Sequence, residues 1–178
     1  MAARAAGTMT TAIDTNVVVA LWDRDPTFSL AAQTALEAAF NRGSLVVSAP
    51  VFAELIAAPG RTETFVNSFL EETGIVVDWE LGEAVWRSAG RAFQHYAERR
   101  RKQRDSGTRR ILADFLIGAH AQTRSYRLLT LNERLHKAAF PTLTIESIQK
   151  LLRCVRCLQG TDVYRERLFL IPGSGERC

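Results

Sequence analysis

Cysteine is scarce in this chain and comes late: Cys154, Cys157 and Cys178 are the only three. Three late thiols do not make a disulfide framework, and one Cys-x-x-Cys pair without a partner pair is half a zinc site. Long hydrophobic runs are missing too. No stretch approaches the roughly 20 apolar residues needed to cross a bilayer. The opening MAARAAGTMTT has one Arg and no apolar core behind it, so it does not read as a secretory leader. Histidine is limited to His95, His120 and His136, which share no metal-ligand spacing. His120 reads as a helix residue and the other two as exposed. These absences leave a reducing cytoplasm as the expected setting, with no membrane partner.

What is present suits a globular domain. At 178 residues, 47% hydrophobic and 24% charged, the chain can bury one real core and carry a short tail. The net charge of +4 is mild, but its placement is uneven. From Glu98 to Arg110 the sequence ERRRKQRDSGTRR holds seven basic and two acidic residues. Such a run is either a solvated helix end and loop or a patch that grips phosphates.

Periodicity and punctuation divide the chain into alternating elements. Thr11-Ala12-Ile13 reads as a short buried strand ending at Asp14, with a turn into a helix after it. A helix follows over Thr27 to Phe40, stopped by Asn41 and Gly43, and Ser44 to Ser48 is a second strand. Pro50 opens a helix carrying Glu54, as proline suits a first turn. Arg61 to Thr73 is helical and ends at Gly74; Ile75 to Asp78 is a third strand. Leu81 to about Arg100 is a long amphipathic helix. Ile111 to about Thr123 is apolar almost all round, which marks a helix buried in the core. Arg127 to Thr130 is a fourth strand and Leu143 to Ile145 a possible fifth. Alternation of this kind predicts an α/β fold: a three-layer α/β/α sandwich around a central parallel sheet of four to five strands. Sites in such sheets lie beyond the carboxyl ends of the strands, where Asp14, Thr130 and Asn132 fall.

Three carboxylates lie in apolar surroundings: Asp14 after Ala-Ile, Glu54 in VFAELIAA, and Asp114 in ILADFLIGA. A carboxylate in a core-like segment must be paired, protonated or bound to a cation, because burying a lone charge is very costly. Asp14 could cap the helix after it, and Asp114 could pair with Arg110 one turn away. Alternatively the three acids together form an oxygen ligand set for a hard divalent ion. Mg²⁺ takes one or two carboxylates, several waters and substrate phosphate.

These residues resemble the PIN-domain family. AIDTN at 12–16, the isolated Glu54 on its helix, and RRILADFLIGAHA at 109–121 are similar to three signature blocks of that family. The last is close to the VapC-type toxins of type II toxin–antitoxin systems. LLTLN at 128–132, with Phe140-Pro141 after it, resembles a fourth block. The resemblance covers about residues 11–146, leaving 147–178 as an appendix. It implies a metal-dependent endoribonuclease with Asp14, Glu54 and Asp114 as catalytic, metal-binding acids for Mg²⁺, with Mn²⁺ able to replace it. It further implies that Asn16 holds a carboxylate through its amide and that Thr130 offers a hydroxyl at the edge of the site. Asn132 stands where many members have a fourth acid, which favours one well-held ion over two. Glu133 is expected to point elsewhere. Products with 5′-phosphate and 3′-hydroxyl ends follow from the resemblance.

In that setting the basic run (Arg99, Arg100, Arg101, Lys102, Arg104, Arg109 and Arg110) reads as an RNA-binding grip leading into the helix of Asp114. Trp22 is a candidate base-stacking side chain or a piece of core. The partners implied are an RNA substrate, a cognate antitoxin and a second copy of the chain in a homodimer. Two rivals remain. A haloacid-dehalogenase-like phosphatase also begins with an Asp after a strand, but needs a second Asp where Asn16 stands. A catalytically inactive PIN-like module that binds RNA or protein is allowed by the loss of the fourth acid.

Overall fold

The computed structural model describes residues 9–22, 25–103 and 112–149. Five parallel strands form one sheet: β1 (Met9–Ile13), β2 (Gly43–Ser48), β3 (Val76–Asp78), β4 (Arg127–Thr130) and β5 (Ile145–Ser147), in the order β3-β2-β1-β4-β5. The helices are α1 (Thr15–Leu21), α2 (Pro26–Arg42), α3 (Ala49–Ile56), α4 (Glu63–Thr73), α5 (Glu83–Gln103), α6 (Leu112–Thr123) and α7 (Glu133–Ala139). The chain first winds outward from β1 to β3, then crosses back to β4 and continues to β5. Right-handed crossovers therefore place α1–α4 over one face and α5–α7 over the other, giving the three-layer sandwich. Within the layers α1 packs on α2 and α3, and α5 on α6, with α7 touching both.

Local chemistry explains the boundaries. The carboxylate of Asp25 accepts from the Thr27 amide at 2.8 Å and Pro26 takes the first turn of α2. The Thr62 hydroxyl caps α4, and Gly74 ends it at φ 66°, a left-handed position that suits glycine. Strand β1, central in the sheet, buries Thr11, Ala12 and Ile13 in succession, as a strand covered on both faces must. Helix α6 buries every residue from Phe115 to Ala121, in keeping with its apolar sequence.

Several features depart from the sequence reading. Helix α5 runs to Gln103, slightly beyond the expected end near Arg100, so Arg99 to Lys102 lie on its last turns, while the rest of the basic run lies outside the described residues. Strand β5 spans Ile145–Ser147 instead of 143–145, because Leu143 turns back onto Phe140 (3.1 Å) and is buried there, and the ladder begins at Leu128 opposite Ile145. Helix α7 is an element that the periodicity does not predict. The packed unit also reaches Ile148, which is buried, just past the expected boundary at 146. The cysteines fall outside the described residues.

Candidate active site

The sheet order reverses direction at β1: the chain leaves it toward β2 on one side, and β4 later pairs on the other. Asp14 follows β1 directly, and its amide extends the ladder to the Leu129 carbonyl (3.0 Å). Ligands in open α/β sheets bind in the crevice beyond such a switch point. Asp14 occupies the N-cap position of α1, yet its side chain makes no capping hydrogen bond. The carboxylate turns instead toward three side chains. The Thr130 hydroxyl donates to Oδ2 at 2.5 Å, Asn16 Nδ2 donates at 2.7 Å, and His136 Nε2 lies 3.3 Å from the same oxygen.

Each of the first two groups is itself fixed. Asn16 Oδ1 accepts from the Leu131 amide (2.9 Å), and Thr130 Oγ1 accepts from the Asn132 amide (2.9 Å). The turn from β4 into α7 is thereby laced to the turn from β1 into α1. Asn132 contributes its backbone to this lacing. Glu133 pairs with Lys137 one turn on in α7.

Glu54 sits on α3, half-buried, and accepts a hydrogen bond from the Thr15 hydroxyl. Burial pushes its carboxyl above the ordinary value, the Thr15 bond pulls it down, and the charges of Asp14 and Asp114 push it up again. The net result is a raised pKa. Asp114, half-buried in the first turn of α6, is thus close enough to act electrostatically on Glu54. Glu54 thus feels the charges of both other acids, Asp14 at the end of β1 and Asp114 on α6. Among the described residues no three His, Cys, Asp or Glu side chains form a ready-made metal-ligand set. The donor chemistry of the three acids, hard carboxylate oxygens whose mutual repulsion a divalent cation would relieve, is of the kind that Mg²⁺ takes.

Residues Arg104, Arg109 and Arg110 lie outside the described residues, and with Arg110 goes the alternative partner for Asp114. Arg99 to Lys102 are described. Arg99 reaches the Ala138 carbonyl (3.4 Å), and Arg100 lies over the Tyr96 ring (5.8 Å to its centroid). Tyr96 in turn packs on Phe115, next to Asp114 (5.4 Å between rings). Trp22 packs edge-on against Phe65 and Phe69 at 5.4 and 5.2 Å, with the Arg61 guanidinium 4.8 Å from its ring centroid. This is core-like packing for a half-buried ring.

Two side chains at the site escape the sequence reading. Thr15 lies inside the AIDTN block, where its hydroxyl is a signal in plain view. His136, expected to be exposed, is fully buried. Its signal is the seven-residue helix α7, with Leu135, His136 and Ala139 turned inward and Asn132 at its start.

A parallel sheet in the order β3-β2-β1-β4-β5 between two helical layers, with Asp14 at its switch point, defines the class of fold: a three-layer α/β domain. The family model described as "PIN domain" matches residues 11–141. The chain belongs to the PIN-domain family. Solved structures share the fold at low identity. They include VapBC-1 from nontypeable Haemophilus influenzae (18% identity, 79% of this chain and 99% of that chain, TM-score 0.54). VapBC2 from Rickettsia felis, bound to a DNA fragment from its promoter, matches at 19% identity over 78% and 98%, TM-score 0.58. A toxin–antitoxin complex from Klebsiella pneumoniae matches at 18% over 78% and 97%, TM-score 0.54. No curated protein sequence matches the chain significantly. Among the described residues no helix is long and apolar enough to cross a membrane.

Proposed function

We propose that this chain is a Mg²⁺-dependent endoribonuclease acting as the toxin of a toxin–antitoxin pair. The observation that carries the nuclease reading is that Asp14 and Asp114 both act electrostatically on Glu54, whose carboxyl is raised first by burial and further by those two charges. Asp14, Glu54 and Asp114 hold the ion; Asn16 and Thr130 fix the Asp14 carboxylate, and Asn132 stands at the rim without adding charge. Held by these acids, Mg²⁺ would supply neutralisation of a phosphodiester oxygen and a bound water of lowered pKa. The basic end of α5, with Arg104, Arg109 and Arg110 beyond it, grips phosphates of the RNA on either side of the bond cut. Manganese, with similar oxygen preference, substitutes.

Support for the toxin role is the run of structural relatives whose names describe VapBC or toxin–antitoxin complexes. On this reading the chain works in the cytoplasm, where its RNA is, as a homodimer silenced by a cognate antitoxin that covers the acids. The test is cleavage of total RNA by the purified chain with Mg²⁺, with EDTA, and by the Asp14→Asn variant, with the new RNA ends sequenced. Cleavage in Mg²⁺ alone, lost in the other two, is expected. Cleavage by the chain that persists in EDTA or in Asp14→Asn ends the proposal. RNA binding without cleavage by the wild-type chain would favour the inactive binding module.

A further inference from the structure

The hydrogen bonds on Asp14 are lopsided. Among the described residues all three side-chain partners converge on Oδ2, from Asn16, Thr130 and His136, and Oδ1 receives none. Two of these partners come from the β1 and β4 ends already recognised as parts of the site. The third comes from α7, 122 residues away in sequence. His136 is fully buried, and its Nδ1 has no hydrogen-bond partner. A proton on Nδ1 would be an orphaned buried donor, whereas one on Nε2 finds a carboxylate oxygen; the ring is therefore the Nε2-protonated tautomer.

Packing holds the ring in that pose. Gly118 of α6 lies against it: a Cβ there would come within 3.0 Å of His136 Nδ1 and 2.3 Å of Phe140 Cε2. The absence of a side chain at 118 lets α7 sit down on α6, one turn after Asp114. Phe140, also buried, follows His136 by one turn and fills the rest of the groove.

We propose that His136 is a positioning residue: its Nε2–H bond fixes Asp14 Oδ2, so that Oδ1 is the oxygen presented to the divalent cation. The inference rests on the metal reading above and assigns a role in it to a side chain outside the signature blocks. An outer partner of a ligating carboxylate sets its orientation and typically affects metal affinity by about 10–100-fold. The ring also couples the seating of α7 to the geometry of Asp14, which no acid in the cluster can do for itself.

The test is Mn²⁺ binding to the metal-free full chain by calorimetry, comparing wild type, His136→Gln and His136→Leu. Gln carries an N–H at nearly the reach of Nε2; Leu fills similar space without a donor. Leu should weaken binding about tenfold or more, and Gln should stay within about threefold of wild type, since it keeps the donor. In parallel, nitrogen NMR of the metal-free wild-type chain should show the His136 proton on Nε2. Wild-type affinity in His136→Leu overturns the inference and leaves the metal reading standing. Equal losses in Leu and Gln overturn it as well, since volume rather than donation would then matter. A proton on Nδ1 overturns it without any variant having to fold. A wild-type chain that binds no Mn²⁺ removes the metal reading itself, and this inference with it.

Discussion

Two aspartates at strand ends each face a buried histidine, and the fold treats them oppositely. Asp78, closing the edge strand β3, accepts from His120 Nε2 at 3.0 Å and has the Arg124 guanidinium at 3.5 Å. Burial pushes its carboxyl up, but the His120 bond and charge, then Arg124 and the Glu80 amide, pull it below its ordinary value of 3.8. Asp14, closing the central strand, meets His136 at 3.3 Å and is otherwise held by an amide and a hydroxyl. Among the described residues no Lys or Arg stands within ion-pair distance of it. Its charge instead adds to that of Asp114 in raising Glu54. At the edge, charge is cancelled locally in a pair that ties β3 to α6. At the centre, the side chains that meet Asp14 among the described residues are an amide, a hydroxyl and an imidazole, which orient its carboxylate.

The largest expected effect comes from breaking the central cluster. Asp14→Asn or Asp114→Asn should each reduce Mg²⁺-dependent RNA cleavage at least about a hundredfold, above the usual loss from an outer partner. Asp78→Asn, the edge counterpart, should leave cleavage per folded molecule close to wild type. Full activity in Asp114→Asn, or its loss in Asp78→Asn, would erase the distinction. Next is the basic end of α5. Replacing Arg100, Arg101 and Lys102 by Ala should raise KM more than it lowers kcat. It should also flatten the salt dependence of RNA binding by up to about 0.7 log–log units for each phosphate no longer neutralised. An unchanged salt slope would make this stretch a solvated face and move the RNA path toward Arg61, with Arg24 outside the described residues.

A smaller effect sharpens the charge argument. Asn132→Asp adds an acid at the rim, so the Mg²⁺ midpoint for cleavage should fall severalfold; an unchanged midpoint would place Asn132 away from the ion. Smallest are the stability differences, and they have opposite signs. Glu54, held above its ordinary 4.5, binds its proton more tightly folded than unfolded. The folded state therefore gains stability as pH falls through the folded value toward 4.5, and loses it on the way up. Metal-free Glu54→Gln should melt a few degrees above wild type at neutral pH, with the gap closing near pH 4.5. Asp78, held low, contributes stability above 3.8 that is lost as pH falls through its folded value. Asp78→Asn should melt a few degrees lower at neutral pH, and the gap should close only below 3.8. Thermal scans across pH in EDTA check both; equal signs would contradict the comparison.

Much of this protein is legible in its sequence because local physics states it repeatedly. Apolar runs bounded by proline, glycine and capping residues mark the four strands through Arg127–Thr130 and the helices between them, and three acids in apolar segments mark themselves as costly and therefore purposeful. Short elements are less legible. Helix α7 is only seven residues long, too short for periodicity to show its inward face, so His136 passes for an exposed residue and β5 reads two residues early. Proximity in space is not legible at all. Nothing in the local sequence says that Thr15 faces Glu54 across 39 residues, or that His136 and Thr130 share one oxygen of Asp14. Nor does it say that Gly118 clears the space into which α7 settles. The sequence by itself determined which segments are strands and helices and which carboxylates are out of place, because propensity, periodicity and desolvation act over a few residues. Only the tertiary structure decided which side chains meet each of those carboxylates, because that depends on distances set by the winding of the sheet and the packing of helices far apart along the chain.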